Sequence, residues 1–261
     1  VRYITLTTDF GSDDWFVGTM KGVIARIARR TELIDISHQI PPGSVRAGAF
    51  ALASSYTFFP KGSIHVAVVD PGVGTARRAI GIETSNYFFV GPDNGLLSWA
   101  LDKENIKAIR SLENPRYFLP QVSATFHGRD VFAPVAAHLS RGVPLHKMGP
   151  RLKQFNRLVW PEPMKTQRGI SGEIVYIDHF GNAITNIPSR LLDPPSGRFR
   201  VLLRRKAVCR IAAAYQAVPP GTALAVVGSS GFLELAINGG NAADVFRLHE
   251  GLTVEVRDST K

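Results

Sequence analysis

The spacing of apolar and polar residues changes several times along this chain. Residues 3–8, Tyr3-Ile4-Thr5-Leu6-Thr7-Thr8, are β-rich and run into Asp9-Phe10-Gly11, after which Trp15, Thr19, Val23 and Ile27 mark one helical face. This predicts strand, loop, helix. A second β-rich run, Leu33-Ile34-Asp35-Ile36, leads to a small-residue helix over about residues 44–56, and Pro60 and Gly62 then break the chain. Ser63-Ile64-His65-Val66-Ala67-Val68-Val69 is nearly all apolar, as a strand covered on both faces should be, and it ends at Asp70. Further strands are predicted at 79–83 and 87–90, with a helix near 96–101. Another helix begins near Asp130 and carries Val131, Val135, His138 and Leu139, with Pro134 tolerated in its first turn. Repetition of the unit implies a mostly parallel sheet flanked by helices.

From residue 142 to 168 the texture changes, with Pro144, Pro150, Pro161 and Pro163 among basic residues, and this reads as a linker. Beyond it, residues 172–177 and 183–187 are strand-like and flank Asp178-His179-Phe180-Gly181-Asn182, an antiparallel pair around a tight loop. Short β segments follow at 199–211, 223–227 and 252–256, separated by Pro and Gly turns. The expected architecture is therefore α/β: an N-terminal domain at 1–145 with a mostly parallel sheet, a linker at 146–168 and a C-terminal all-β, barrel-like domain at 169–261.

With 261 residues, 44% of them hydrophobic, the chain can fill two cores. No apolar run is long enough for a membrane span, and Val1-Arg2-Tyr3 enters the first strand pattern directly, so neither a membrane partner nor a leader is expected. Cys209 is the sole cysteine, flanked by strand-like residues; a half-buried structural thiol in a reducing cytoplasm is the expectation. The formal charge of +10 raises the question of nucleic acid. Its basic residues are dispersed, without the interleaved aromatics of single-strand binders, which favours a solvated basic surface over a nucleic-acid site.

Ligands of open parallel sheets bind beyond the carboxyl ends of the strands, and two strands here deliver Asp9 and Asp70 to such an edge. Either aspartate alone is equally well read as a turn or helix cap. An ionised Asp at this edge accepts two hydroxyl hydrogen bonds, which makes Asp9 the ribose candidate. The loop from Asp70 through Gly72, Gly74, Arg77 and Arg78 lacks the Gly-Lys-Ser/Thr ending of a phosphate loop and leads into no helix. A structural Asp–Arg pair is its plain alternative. No His or Asp pair has metal-ligand spacing on one helix, and no Gly-x-Ser-x-Gly elbow follows a strand, so a metal-free site without a serine nucleophile is expected. Two segments rich in small polar residues, 228–236 and 238–243, read either as turns or as backbone and hydroxyls exposed for a base edge or carboxylate.

Taken in order, Thr8-Asp9-Phe10-Gly11, Val69-Asp70-Pro71-Gly72-Val73-Gly74-Thr75, Gly91-Pro92-Asp93-Asn94-Gly95, Phe126-His127-Gly128-Arg129-Asp130, Asp178-His179-Phe180-Gly181-Asn182 and Gly228-Ser229-Ser230-Gly231 resemble the S-adenosylmethionine hydroxide adenosyltransferases, relatives of fluorinases and chlorinases. The resemblance implies hydrolysis of S-adenosylmethionine to adenosine and methionine without a cofactor. It also implies a homotrimer with sites at subunit interfaces. By matching position, Asp70, Arg77 and His127 would handle the attacking water. Asp9 would hold the ribose, Asp178 and Ser229 the methionine, Phe180 and Tyr215 the adenine faces, and Asn182 and Ala242 its polar edge; Asn94, Ser230 and Glu234 are further substrate-binding candidates. The halogenase branch carries a tyrosine where Asp70 stands and Phe-Tyr-Ser at Phe126-His127-Gly128. A sensor of S-adenosylmethionine or adenosine without turnover, or a halogenase, are the alternatives.

Overall fold

The fold is that of a computed structural model, which describes residues 2–167, 169–192 and 199–258. The chain divides into two compact units, residues 1–159 and 160–261. Val1 at the start of the first strand pattern and Arg168 at the end of the expected linker lie outside the described residues.

The first unit is built on a six-stranded sheet of order β2-β1-β3-β5-β4-β6. Its strands are β1 (Tyr3–Thr8), β2 (Glu32–Ser37), β3 (Ile64–Val68), β4 (Ala79–Thr84), β5 (Phe88–Pro92) and β6 (Ile106–Ser111). β2, β1, β3 and β5 run parallel, whereas β4 is antiparallel to both β5 and β6, so one side of the sheet is a meander. β3 shows why apolar residues recur without a polar alternation, since both of its faces are covered, and the alternating Thr5 and Thr7 of β1 are buried as well. Ile4, Leu6, Val66 and Val68 belong to one core with residues of α1 (Phe16–Ile27) and of α4 (Ala133–Ser140). On β3, His65 meets Tyr56, which follows α2 (Val45–Ser55), and also packs against Phe59, Tyr87 and Phe89. The short α3 (Ser98–Leu101) is buried throughout.

Two expectations shift here. The buried face of α1 is Val17, Met20 and Ile24, at i, i+3, i+7 spacing, while Trp15 is 68% exposed and precedes the helix. The helix expected from Asp130 instead opens with a π-helical segment, Gly128–Phe132, for which His127 is the N-cap, and turns α-helical at Ala133. Residues 146–159 of the Pro-rich stretch pack with the first unit: Met148 is fully buried, Leu152 N donates to Ile109 O at 2.9 Å, and Asn156 N donates to the buried Asp93 at 2.6 Å.

The second unit is antiparallel β structure in the order β11-β10-β14-β8-β9-β13-β12, with β7 (Met164–Thr166) beside β8 (Gly169–Ile177). The remaining strands are β9 (Ala183–Pro188), β10 (Phe199–Leu203), β11 (Lys206–Arg210), β12 (Ala223–Val227), β13 (Phe232–Ile237) and β14 (Thr253–Asp258). A bridge between Ile211 and Ala225, with Ala212 N donating to Ala225 O at 2.8 Å, ties the two ends of this order and nearly closes a barrel. Alternate residues such as Ile174, Val201, Leu233, Leu235 and Val254 fill the interior, and α5 (Ala242–Phe246) packs beside it. Cys209 sits half-buried on β11, and burial pushes its thiol up to about 12. Among the described residues no helix is long and apolar enough to cross a membrane.

Candidate active site

β1 and β3 are parallel neighbours in a register that pairs Thr8 with Val68, so Asp9 and Asp70 emerge at the same sheet edge. Asp9 is fixed by the amide of Gly43, which donates to its Oδ2 at 2.8 Å. After Asp70 the chain folds through two nested turns, Val73 N to Asp70 O at 3.2 Å and Thr75 N to Gly72 O at 3.2 Å, which return Arg77 to the carboxylate. Arg77 Nε lies 2.9 and 3.0 Å from the two Asp70 oxygens, and its Nη2 also donates to Oδ2. That same Nη2 lies 3.0 Å from His127 Nδ1. The guanidinium rests over the Phe132 ring at 5.4 Å, and the Arg77 and Asp70 side chains are nearly buried.

Gly74 lets His127 come this close. Its φ is +78°, and a Cβ there would lie 2.3 Å from Ala124 O, so the 70–77 loop abuts the His127 loop only with glycine at this point. Burial and then the Arg77 charge hold the His127 imidazole below its ordinary value, against the opposing carboxylates of Asp70 and Asp130 and the Ser123 backbone. Asn94 braces the same edge from within: Nδ2 donates to Val69 O at 2.8 Å, and Oδ1 accepts from Leu96 N at 3.1 Å. Each end of its amide thus makes one bond to protein.

In the second unit a cleft of about 1030 Å³ is lined by Asp178, Phe180, Asn182, Tyr215, Ser229, Ser230 and Glu234 together. Asp178 organises the tight loop, accepting from Phe180 N at 2.9 Å, Asn182 N at 2.8 Å and Asn182 Nδ2 at 3.1 Å. That leaves Phe180 standing out of the loop, 72% exposed. Tyr215 donates to Glu234 Oε1 at 2.5 Å. Burial raises the Glu234 carboxyl; the Tyr215 hydrogen bond opposes this and the Asp178 charge adds to it. Ser230 Oγ is buried without a protein partner. Ala242 is fully buried at the start of α5 and does not line the cleft. Asp70, Arg77 and His127 meet in the first unit and are no part of this cleft. Among the described residues no group of three or more His, Cys, Asp or Glu side chains is placed to hold a metal ion.

Two family models match most of the chain. The SAM hydroxide adenosyltransferase N-terminal domain matches residues 4–149, and the C-terminal domain of the same family matches residues 172–255. The chain belongs to the SAM hydroxide adenosyltransferase family. An (R)-S-adenosyl-L-methionine hydrolase of Salinispora arenicola is 42% identical over 252 residues, 95% of either chain. One of Thermus thermophilus is 40% identical, over 98% of this chain and 100% of its own. A fluorinase of Actinoplanes sp. is 27% identical over 97% of this chain and 96% of its own. The crystal structure of an uncharacterized conserved protein from Thermotoga maritima aligns with a TM-score of 0.91 at 39% identity, covering 97% of this chain and 99% of that one.

Sequence reasoning missed several parts of this SAM hydroxide adenosyltransferase family member's cleft. Ala213, Ala214, Ile184 and Val226 line it, but small and apolar side chains carry no chemical signature. β13 was read as part of the turn-rich segment 228–236; the structure makes it a strand, and Phe232, Leu233, Leu235 and Ile237 with the single Glu234 are a legible apolar run.

Proposed function

We propose that this chain hydrolyses S-adenosylmethionine to adenosine and methionine, with the (R) sulfonium epimer as substrate, as the names of its relatives suggest. The observation that carries the chemistry is Arg77 bridging Asp70 and His127 at the sheet edge beside Asp9. In the reaction a C5′–O bond forms while the C5′–S bond breaks, and its electron pair stays on sulfur. The leaving group is a neutral thioether and needs no acid, so only the water requires help. No cofactor or metal enters this scheme. Holding the water in line with C5′–S replaces a chance encounter, an effect of roughly 7 to 11 kcal/mol at best.

An arginine nitrogen has no lone pair, so Nη2 donates to His127 Nδ1, and the neutral imidazole carries its proton on Nε2. His127 then offers water an N–H donor. Proton acceptance falls to Asp70, whose oxygens keep lone pairs beyond those taken by Arg77. In the second unit, Asp178 and Ser229 are proposed to hold the methionine portion, Phe180 and Tyr215 to stack on adenine, and Asn182, Ser230 and Glu234 to supply polar contacts. Asp9 is proposed to bind the ribose. Asn94 braces the edge with one N–H and one oxygen lone pair and is proposed to offer the others to substrate.

The reading includes a homotrimer with sites at subunit interfaces, and a cytoplasmic location, to which a free, half-buried thiol is suited. Incubation with each sulfonium epimer in oxygen-18 water tests it. Label in the adenosine 5′-hydroxyl, from the (R) epimer in preference to the other, is expected. Unlabelled adenosine or no turnover overturns it. Light scattering on active fractions tests the trimer, which a fully active monomer would contradict.

A further inference from the structure

Asp130 takes no direct part in the arrangement of Asp70, Arg77 and His127, yet it closes the loop that carries His127. Its side chain is wholly buried. Oδ2 accepts from Ser123 N at 2.8 Å and from Ser123 Oγ at 2.7 Å, while Arg129 donates from Nε to Oδ1 at 2.6 Å and from Nη2 to Oδ2 at 3.2 Å. Ser123 Oγ accepts in turn from Phe126 N at 3.1 Å, and Asp130 N donates to Phe126 O at 3.1 Å. His127 follows Phe126 directly, so the carboxylate fastens the loop on both sides of it. The ring then opens a π-helical segment, a rare geometry that persists where side chains support it.

Leaving an ionised carboxylate in the interior is unfavourable unless hydrogen bonds and an opposite charge compensate it. Burial works to raise Asp130, but the bonds from Arg129 and Ser123 outweigh it and hold the carboxyl below its ordinary range. The charge is thus kept, and it acts on His127. The charged groups facing the imidazole are Arg77, which disfavours its protonation, and Asp70 and Asp130, which favour it.

We infer that Asp130 is a positioning residue for His127, locking the 123–130 loop so that the imidazole presents Nδ1 to Arg77. The inference rests on the reading of Asp70, Arg77 and His127 as the water site. It is tested with Asp130→Asn and Ser123→Ala, each checked for folding by circular dichroism, through kcat, KM and the nitrogen-15 signals of the His127 ring. Asp130→Asn should lower kcat by about tenfold or more with KM changed less than about twofold, the pattern of a group that acts through the transition state. Ser123→Ala should shift both readouts the same way to a smaller extent, and decides the matter if Asp130→Asn fails to fold. The His127 ring signals should move in both variants. Folded Asp130→Asn with wild-type kcat, or lowered kcat with unmoved ring signals, overturns the proposal. In a His127→Asn background, Asp130→Asn should lower kcat no further; additive losses also overturn it. Wild-type turnover in His127→Asn alone would instead refute the water-site reading, and the ring signals in the single variants would still decide whether Asp130 holds the imidazole.

Discussion

Arg77 Nη2 stands 3.0 Å from His127 Nδ1, and because a guanidinium can only donate, this one contact fixes the imidazole tautomer. Protonating His127 would place an N–H at Nδ1 against the Arg77 N–H and break the contact. Burial and the Arg77 charge hold the ring below its ordinary value of 6.5, so the active neutral form persists as pH falls through that value. The acid limb of kcat is therefore expected below pH 6.5. A pH profile of single turnovers checks this. Loss of turnover centred above 6.5 would contradict a neutral donor role.

Arg77 is asked for two directions at once: Nε and Nη2 to Asp70, and Nη2 to His127. A lysine keeps the charge but offers a point donor in place of the planar fork. Arg77→Lys should lose one charge-assisted hydrogen bond, about 1.5 to 3 kcal/mol, or about one to two powers of ten in kcat. Substrate affinity measured by calorimetry should change far less. A lysine variant with wild-type kcat would mean that the fork geometry is not used.

How much of this was legible in the sequence depends on the distance over which each signal acts. β3 was legible because six of the seven residues that run up to Asp70 are apolar or small, and α2 because small residues recur over 44–56, where Ser44 caps the helix by accepting from Ala47 N at 3.2 Å. The face of α1 was misread because Phe16, Val17, Met20, Val23, Ile24 and Ile27 are apolar on adjoining stripes, and only the core selects Val17, Met20 and Ile24. β6 was missed because an edge strand buries little: Lys107 and Arg110 interrupt its apolar residues. The Asp70–Arg77 pair is seven residues apart and visible as a candidate, whereas its contact with His127, fifty residues away, depends on Gly74 meeting Ala124, which no local pattern encodes. Asn94 shows a structural tie the motif does not announce, since its side chain also braces Val69 and Leu96.

Asp178 has two separable duties, organising its loop and carrying charge in the cleft. Asp178→Ala removes the acceptor of three hydrogen bonds and leaves the amides of Phe180 and Asn182 unpaired, so a loss on the order of 1 to 3 kcal/mol in stability is expected. Asp178→Asn keeps an oxygen for both amides but removes the charge. It should melt close to wild type while its affinity for S-adenosylmethionine falls. Thermal melts and calorimetry on the two variants decide this. Equal destabilisation in both, with affinity intact in Asp178→Asn, would assign the residue to the loop alone.

His65 gives a prediction for the first unit that is independent of any ligand. Its ring is fully buried on β3, with Nδ1 2.8 Å from Thr5 Oγ1, Nε2 without a partner, and Tyr56, Phe59, Tyr87 and Phe89 around it. Burial lowers its value from 6.5 to about 3. The unfolded chain therefore takes up a proton at His65 through a pH range in which the folded chain does not. The stability from keeping this ring neutral is fully present above 6.5 and is lost as pH falls from 6.5 towards 3, at about 1.4 kcal/mol per pH unit. Carboxylates held low by their partners, such as Asp35 and Asp130, add their losses only at and below the ordinary carboxylate range, so the upper part of the window isolates histidine. His127 and His138 are lowered as well and contribute in the same direction, which makes the difference between variants the decisive quantity. Urea unfolding of wild type and His65→Gln from pH 7 to pH 4 should show the variant losing stability less steeply by about one proton. Parallel slopes would mean that His65 is protonated inside the fold, with its charge held by a partner other than Thr5.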